Sequence, residues 1–282
     1  MITVSADNKN IPVNMVEFSD GAITFNLSKI PLDTKLLWVV VDPSTPLYRV
    51  REELATFHDS LYHYGVDKFE HNVIMYLSLD YFPHARNDRV FEEGNPLMLQ
   101  EFCEFVEDYL VGYDKIFSCD IHNNTIPKQV FGDKLHEKEQ LQCFKESLPQ
   151  DFNIDYDIVL SPDKGSREKA RTIAGHLEVD IYNCEKERDI STGKIIRSVL
   201  PEGVDFSGTK VLIPDDLCDG GYTFIKLAEL LKEAGAKQVD LYVTHLIASK
   251  SLDNFKGLID NIYCYQTVGN YVNKQNVNDF NK

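Results

Sequence analysis

Lys210-Val-Leu-Ile-Pro-Asp-Asp-Leu-Cys-Asp-Gly-Gly-Tyr-Thr223 is an apolar strand that runs into adjacent carboxylates, a turn of small residues and then a helical pattern. At the carboxyl end of a parallel strand such a turn lies in the ligand crevice. Its backbone N–H groups and the following helix N-terminus favour a phosphate. Asp215 and Asp216, ahead of that turn, suit the two hydroxyls of a ribose ring and repel a phosphate misplaced onto them. The competing structural reading has one of the two acids cap the helix and Gly220 and Gly221 merely satisfy a tight turn. The full order of strand, acids, glycines and Thr223 favours the ligand.

Outward from this stretch, short runs rich in Val, Ile and Leu alternate with helical periodicity, the pattern of βαβ units around a parallel sheet. Strands are expected at Leu36 to Val41, Val73 to Leu79, Lys115 to Cys119, Asp157 to Leu160, Lys210 to Ile213, Gln238 to Thr244 and Asn261 to Tyr265. Helices are expected at Tyr48 to Tyr64, Pro96 to Leu110, Ser166 to His176 and Thr223 to Ala234. The polar segment Gly132 to Asn153 marks a boundary, giving α/β domains at 1–132 and 133–282.

The 282 residues suffice for two such domains, and 43% hydrophobic with 26% charged residues is globular composition. A net charge of −16 argues against a surface built to neutralise nucleic acid, but leaves nucleotide binding open, since Mg²⁺ and a few cations hold a triphosphate. Six cysteines without a CxxC pair read as reduced, mostly buried thiols. With no leader-like stretch and no run of eighteen apolar residues, the expectation is a cytoplasmic protein without a membrane partner.

The 210–223 stretch resembles the sugar-phosphate loop shared by type I phosphoribosyltransferases and phosphoribosyl pyrophosphate (PRPP) synthetases. A second segment separates the two. Asp80-Tyr-Phe-Pro-His-Ala-Arg-Asn-Asp-Arg89 resembles the ATP-contacting segment of PRPP synthetases, with Arg86 and Asn87 on the family's Arg and Gln and Asp88 following. Ser118-Cys-Asp-Ile-His122 is similar to the family's turn bearing a Mg²⁺-ligating His, and Leu160-Ser-Pro-Asp-Lys-Gly-Ser166 to the turn whose Asp completes the metal site. The resemblance therefore implies His122 and Asp163 as metal ligands; taken alone, His122 would read as structural. Glu185-Lys-Glu-Arg-Asp189 resembles the start of the catalytic loop, implying Lys186 and Arg188 as catalytic cations, where composition alone suggests a solvated charge run. Phe18-Ser-Asp20 falls on the nucleotide-contacting stretch, implying Phe18 and Asp20 at ATP, and Val243-Thr-His-Leu246 on a further strand end.

The resemblance spans roughly Phe18 to Val268. It implies two tandem type I phosphoribosyltransferase-like domains with mainly parallel sheets, ATP between them, Mg²⁺ as cofactor and a homo-oligomer, dimer or hexamer. The implied activity is transfer of a diphosphate from ATP to a ribose-5-phosphate-type acceptor, presented by Asp215, Asp216, Asp219, Gly220, Gly221, Tyr222 and Thr223. Three departures stand out. The N-terminal βα unit is cut short, and Ala22 replaces a Glu. Val90-Phe-Glu-Glu-Gly-Asn95 replaces a basic run, so the usual phosphate or ADP regulation is not expected. Asp219-Gly-Gly-Tyr-Thr223 replaces D-T-C-G-T, which suggests that the two glycines open the pocket to a larger 5-substituent stacked on Tyr222. ADP-ribose fits that description, with ADP-ribose pyrophosphate as product, a step in NAD salvage. The alternatives are a phosphoribosyltransferase that consumes PRPP, which leaves the 80–89 segment idle, and a catalytically inactive regulatory homologue.

Overall fold

A computed structural model describes residues 1–65, 69, 72–110, 112–148, 155–188, 195–250 and 252–269, with backbone alone for 186–188 and 195–198. The chain forms two compact units, Met1–Lys138 and Glu139–Lys282. The polar segment expected to link them carries structure of its own.

The first unit contains β1 (Ile2–Ala6), β2 (Lys9–Ile11), β3 (Asn14–Glu17), β4 (Ile23–Asn26), β5 (Leu36–Val41), α1 (Leu47–Tyr64), β6 (Ile74–Ser78), α2 (Met98–Glu104), β7 (Tyr113–Cys119), α3 (Thr125–Phe131) and β8 (Leu135–Lys138). Its main sheet has the order β2-β1-β5-β6-β7-β8. The pairs β5–β6, β6–β7 and β7–β8 are parallel, while β1 pairs antiparallel with both β2 and β5. A β1–β2 hairpin thus stands where the resemblance led us to expect a shortened βα unit. Alternation in β5 sends Leu37, Val39 and Val41 to the core, with Val50, Leu54, Phe57 and Leu61 of α1 packed in the same cluster. The 3.6-residue repeat makes those four one helical stripe, and each fully buried side chain contributes about 1.5–3 kcal/mol. The opposite pleat of the same strands carries an aromatic ladder, with ring centroids 5.5 Å apart for Trp38–Tyr76 and 5.1 Å for both Trp38–Phe117 and Phe117–His136. The expected helix over 96–110 is α-helical only through Glu104 and continues as a π-helical turn, Phe105–Tyr109.

The second unit contains α4 (Gln140–Ser147), β9 (Ile158–Ser161), α5 (Arg167–Leu177), β10 (Asp180–Asn183), β11 (Glu185–Arg188), β12 (Ile195–Val199), β13 (Lys210–Cys218), α6 (Tyr222–Glu233), β14 (Gln238–Leu246) and β15 (Asn261–Thr267). Its sheet is parallel throughout, with the order β10-β9-β13-β14-β15. Alternate residues feed two cores. Val211, Ile213, Leu241 and Val243 pack with Leu227 and Leu231 of α6, and Leu212 and Tyr242 pack with Phe144 of α4 and Ile173 of α5. A sheet buried on both faces explains why its strands read as continuous apolar runs rather than alternating ones. All six cysteines are buried and none is in a disulfide, as expected of reduced thiols. No helix among the described residues is long and apolar enough to cross a membrane.

Candidate active site

In the second sheet the chain passes from β9 outward to β10 and then returns to the other side of β9 as β13. That reversal is a topological switch point, and ligands in open α/β sheets bind at the carboxyl ends of the strands beside it. The ladder locally opens there. β13 pairs with β9 only at Val211 and Leu212, whereas its pairing with β14 continues to Cys218. Pro214, which has no N–H to donate, sits where the ladder to β9 has ended.

β13 runs five residues beyond its expected end at Ile213, so Asp215 and Asp216, ahead of the turn, lie within the strand. Neither acid caps α6: the residue before the helix is Gly221. Asp215 Oδ1 accepts the Asp216 N–H at 2.9 Å, and Asp216 is buried. Burial drives the Asp215 carboxyl well above its ordinary range, and the neighbouring Asp216 and then Asp163 push it further the same way. Asp163 belongs to the turn after β9, so its field reaches across the crevice. Its Oδ1 accepts the Gly165 and Ser166 N–H groups at 2.8 and 3.2 Å, which shapes the turn ahead of α5, and Ser161 Oγ donates to its carbonyl at 2.8 Å.

A raised carboxylate pKa has a definite sign. The group's contribution to stability is fully present below the ordinary value of about 3.9 and is lost as pH rises through the raised value. Asp215→Asn keeps the acceptor for the Asp216 N–H and removes the repulsion. In ligand-free, EDTA-treated protein we expect the variant to melt higher than the parent, by a margin that widens from pH 5.5 to 8. Melting curves across that range with a constant or reversed margin would refute the assignment.

The turn itself departs from the expectation that both glycines open the pocket. Gly221 has φ +75°, and a Cβ there would lie 2.2 Å from Cζ of Phe255, whose ring fills the space. Phe255 comes from the 3₁₀ turn Leu252–Phe255 after β14 and belongs to the core packed by α6. Gly221 is therefore required by its own backbone and by a ring, and it adds no room for a substituent. Gly220 is different: a Cβ there would meet only the Lys250 side chain, at 3.7 Å to Cδ and 3.9 Å to Cε. Ser249 Oγ donates to Asp219 Oδ1, joining the segment after β14 to the turn. Tyr222 is 73% exposed, its ring 6.0 Å from Lys226 Nζ, and Thr223 is half-buried in the first turn of α6.

In the first unit the structure brings together two segments that the sequence left separate. Arg86 and Asn87 are exposed in the loop after β6, beyond His84 with φ +60°, while the half-buried Asp88 accepts a 2.8 Å bond from Asn123 Nδ2. Asn123 adjoins the exposed His122 in the loop after β7. Glu137 of β8 secures that loop, its Oε1 accepting the Ile121 N–H at 2.9 Å and its Oε2 the Asn124 Nδ2 at 2.6 Å. Asp120 turns the chain there with φ +41° and donates its N–H to Lys138 O at 2.8 Å. His84 and Asp120 thus hold left-handed backbone in the loops after the neighbouring strands β6 and β7, a conformation that non-glycine residues often keep at functional sites. Phe18 is 55% exposed at the tip of the β3–β4 hairpin, and Asp20 Oδ1 accepts the Ala22 N–H at 3.1 Å within the same turn. The side chains of Lys186 and Arg188 lie outside the described residues; their backbone forms β11, paired with β12. Sequence reasoning missed Glu137, Asn123, Ser249 and Lys250, each placed by a tertiary contact; only Ser249 and Lys250 carried a signal, as polar residues just after a motif-bearing strand end.

Switch point, paired acids and glycine turn define an α/β protein of the type I phosphoribosyltransferase class. Residues 142–266 match the phosphoribosyl transferase domain family. Among curated proteins, the ribose-phosphate pyrophosphokinase of Pyrococcus abyssi is 30% identical over 206 residues, 72% of this chain and 68% of its own. That of Mycoplasmopsis pulmonis is 30% identical over 264 residues, 92% of this chain and 77% of its own. The crystal structure of phosphoribosylpyrophosphate synthetase from Mycobacterium smegmatis shares the fold, with a TM-score of 0.69 at 21% identity over 89% of this chain and 79% of that one. The chain belongs to the ribose-phosphate pyrophosphokinase family and is a transferase.

Proposed function

We propose that the enzyme transfers the β,γ-diphosphate of ATP to the anomeric hydroxyl of a ribose-5-phosphate-type acceptor and releases AMP. The observation that carries this reading is the crevice between β9 and β13, where Asp215 and Asp216 precede a glycine turn on α6, in a chain of this family. Asp215 and Asp216 accept the ribose hydroxyls, whose donated protons relieve the repulsion built into the empty pair. Asp219 to Thr223 hold the 5-phosphate with backbone N–H groups and the helix N-terminus.

Arg86, Asn87 and Asp88, with Phe18 and Asp20, take the nucleotide. His122 and Asp163 would hold Mg²⁺, which neutralises phosphate charge. Two protein donors suffice in the proposed site, because this ion takes most of its shell from phosphate oxygens and water. The anomeric hydroxyl bonds through its oxygen to the β-phosphorus and gives its proton to solvent, the bond from that phosphorus to the α–β bridging oxygen breaks, and AMP leaves with the electron pair. Lys186 and Arg188 stabilise charge on the transferred group. Catalysis of this kind is positioning and electrostatics.

The acceptor is ribose 5-phosphate or ADP-ribose; the exposed Tyr222 supports the second as a platform for a base. The working enzyme is a cytoplasmic homo-oligomer. Incubation with ATP, Mg²⁺ and each acceptor in turn, without any nucleobase, should release AMP and form a sugar diphosphate. No AMP with either acceptor would sink the proposal, and base-dependent diphosphate release from PRPP would favour a phosphoribosyltransferase.

A further inference from the structure

Three carboxylates, Asp215, Asp216 and Asp219, surround a turn assigned to a phosphate, in a chain of net charge −16. Two of the turn's residues are glycines without donor side chains, and the nearest added hydroxyl, Ser249, donates to Asp219. Backbone N–H groups and the end of α6 supply roughly half a positive charge, which does not offset that field. A cation is required, and two lysines lie beside the turn. Lys226 is engaged with Glu229, Nζ to Oε2 at 2.7 Å. Lys250 is not: among the described residues it forms no ion pair, and it is exposed.

The Lys250 side chain lies across Gly220, within van der Waals distance of the Cβ position that glycine leaves empty. Its backbone is held in place by the three residues that precede it. Ile247 N donates to Cys218 O at 2.9 Å, Ala248 turns with φ +48°, and Ser249 bonds Asp219. The glycine at 220 thus acts as a seat for the lysine stem, whose ammonium lies one bond beyond Cε.

We propose that Lys250 is the cation that binds the phosphate on C5 of the acceptor, beside the two glycines that carry no side-chain donor. This rests on the pyrophosphokinase reading of the site. A flexible ammonium carried on a stem beside Gly220 serves a single 5-phosphate or the diphosphate of a larger 5-substituent, and the two sources separate by assay.

The test compares wild type, Lys250→Met and Lys250→Arg in AMP release with ATP, Mg²⁺ and either ribose 5-phosphate or ADP-ribose. Methionine keeps the stem over Gly220, so unchanged melting temperatures separate binding from folding. A charge-assisted hydrogen bond implies a rise in acceptor KM of about tenfold or more in Lys250→Met, with kcat and the KM for ATP within about twofold and most of the loss recovered by arginine. A rise with both acceptors places the contact at the phosphate on C5; a rise confined to ADP-ribose places it at the second phosphate. An acceptor KM unchanged in Lys250→Met overturns the proposal. If wild type releases no AMP with either acceptor, the pyrophosphokinase reading fails, and Lys250 is judged by calorimetric titration with ribose 5-phosphate. Weaker binding by Lys250→Met supports its role; equal binding, or none by wild type, overturns it.

Discussion

Gly221→Ala should lower the thermal midpoint of the second unit by about 5 °C or more and abolish acceptor binding. Two independent costs add at this position. The backbone sits at φ +75°, where a Cβ costs roughly 1–2 kcal/mol. The new methyl would also stand 2.2 Å from Cζ of Phe255, and forcing extra atoms into a packed core costs about 1–3 kcal/mol. Phe255 is 4% exposed and cannot swing into solvent without emptying its place against α6, so the backbone of the turn must shift instead. That movement displaces the N–H groups proposed to hold phosphate. Phe255→Ala alone should cost about 3–5 kcal/mol through the cavity it leaves. In the double variant the methyl meets that cavity, so the two losses should fall short of their sum by at least about 1 kcal/mol. Strict additivity in calorimetry would mean that the ring is not what forbids a side chain at 221.

The same glycine shows what kind of information a sequence carries. The order of strand, two acids and glycines around 215–221 was legible because each is a local requirement of chain direction or backbone angle. The reason for Gly221 was not, since Phe255 lies thirty-four positions away and arrives through the connection after β14. Short apolar runs located β5, β6 and β7 of the first sheet and β9, β13, β14 and β15 of the second. β13 was cut short at Ile213 because Pro214 and two aspartates look like a turn, yet pairing with β14 carries the strand on to Cys218. The first four strands escaped notice. β2 and β3 have three and four residues, mostly exposed, so little apolar periodicity marks them. α3 and α4 lie in polar sequence and bury few residues each, among them Phe131 and Phe144. The bond from Asn123 to Asp88, which draws His122 toward the loop of Arg86, joins side chains thirty-five positions apart and leaves no pattern to read.

Lys186→Ala should reduce kcat by about 10²–10³-fold while the Kd for ATP stays within a few-fold of wild type. β11 pairs antiparallel with β12, Lys186 opposite Ser198 and Glu187 opposite Arg197, and the register shifts between Glu187 and Arg188. Alternate residues of an extended segment point the same way, so the expectation from the sequence sets 186 and 188 together and 187 opposite. In the proposed role the two cations meet a group whose charge spreads over several equatorial oxygens during transfer, and so stabilise that state more than the bound nucleotide. Loss of a ground-state contact would instead raise the KM for ATP at constant kcat. Glu187→Ala supplies the control, because it alters the same hairpin from the opposite face: its kcat should stay within about threefold of wild type. Equal damage from both variants would trace the defect to the hairpin's fold rather than to a charge, and near-normal turnover by Lys186→Ala would remove the lysine from the mechanism. Arg188→Ala combined with Lys186→Ala should cost less than the product of the single losses, since two groups that hold one transferred diphosphate act as a unit.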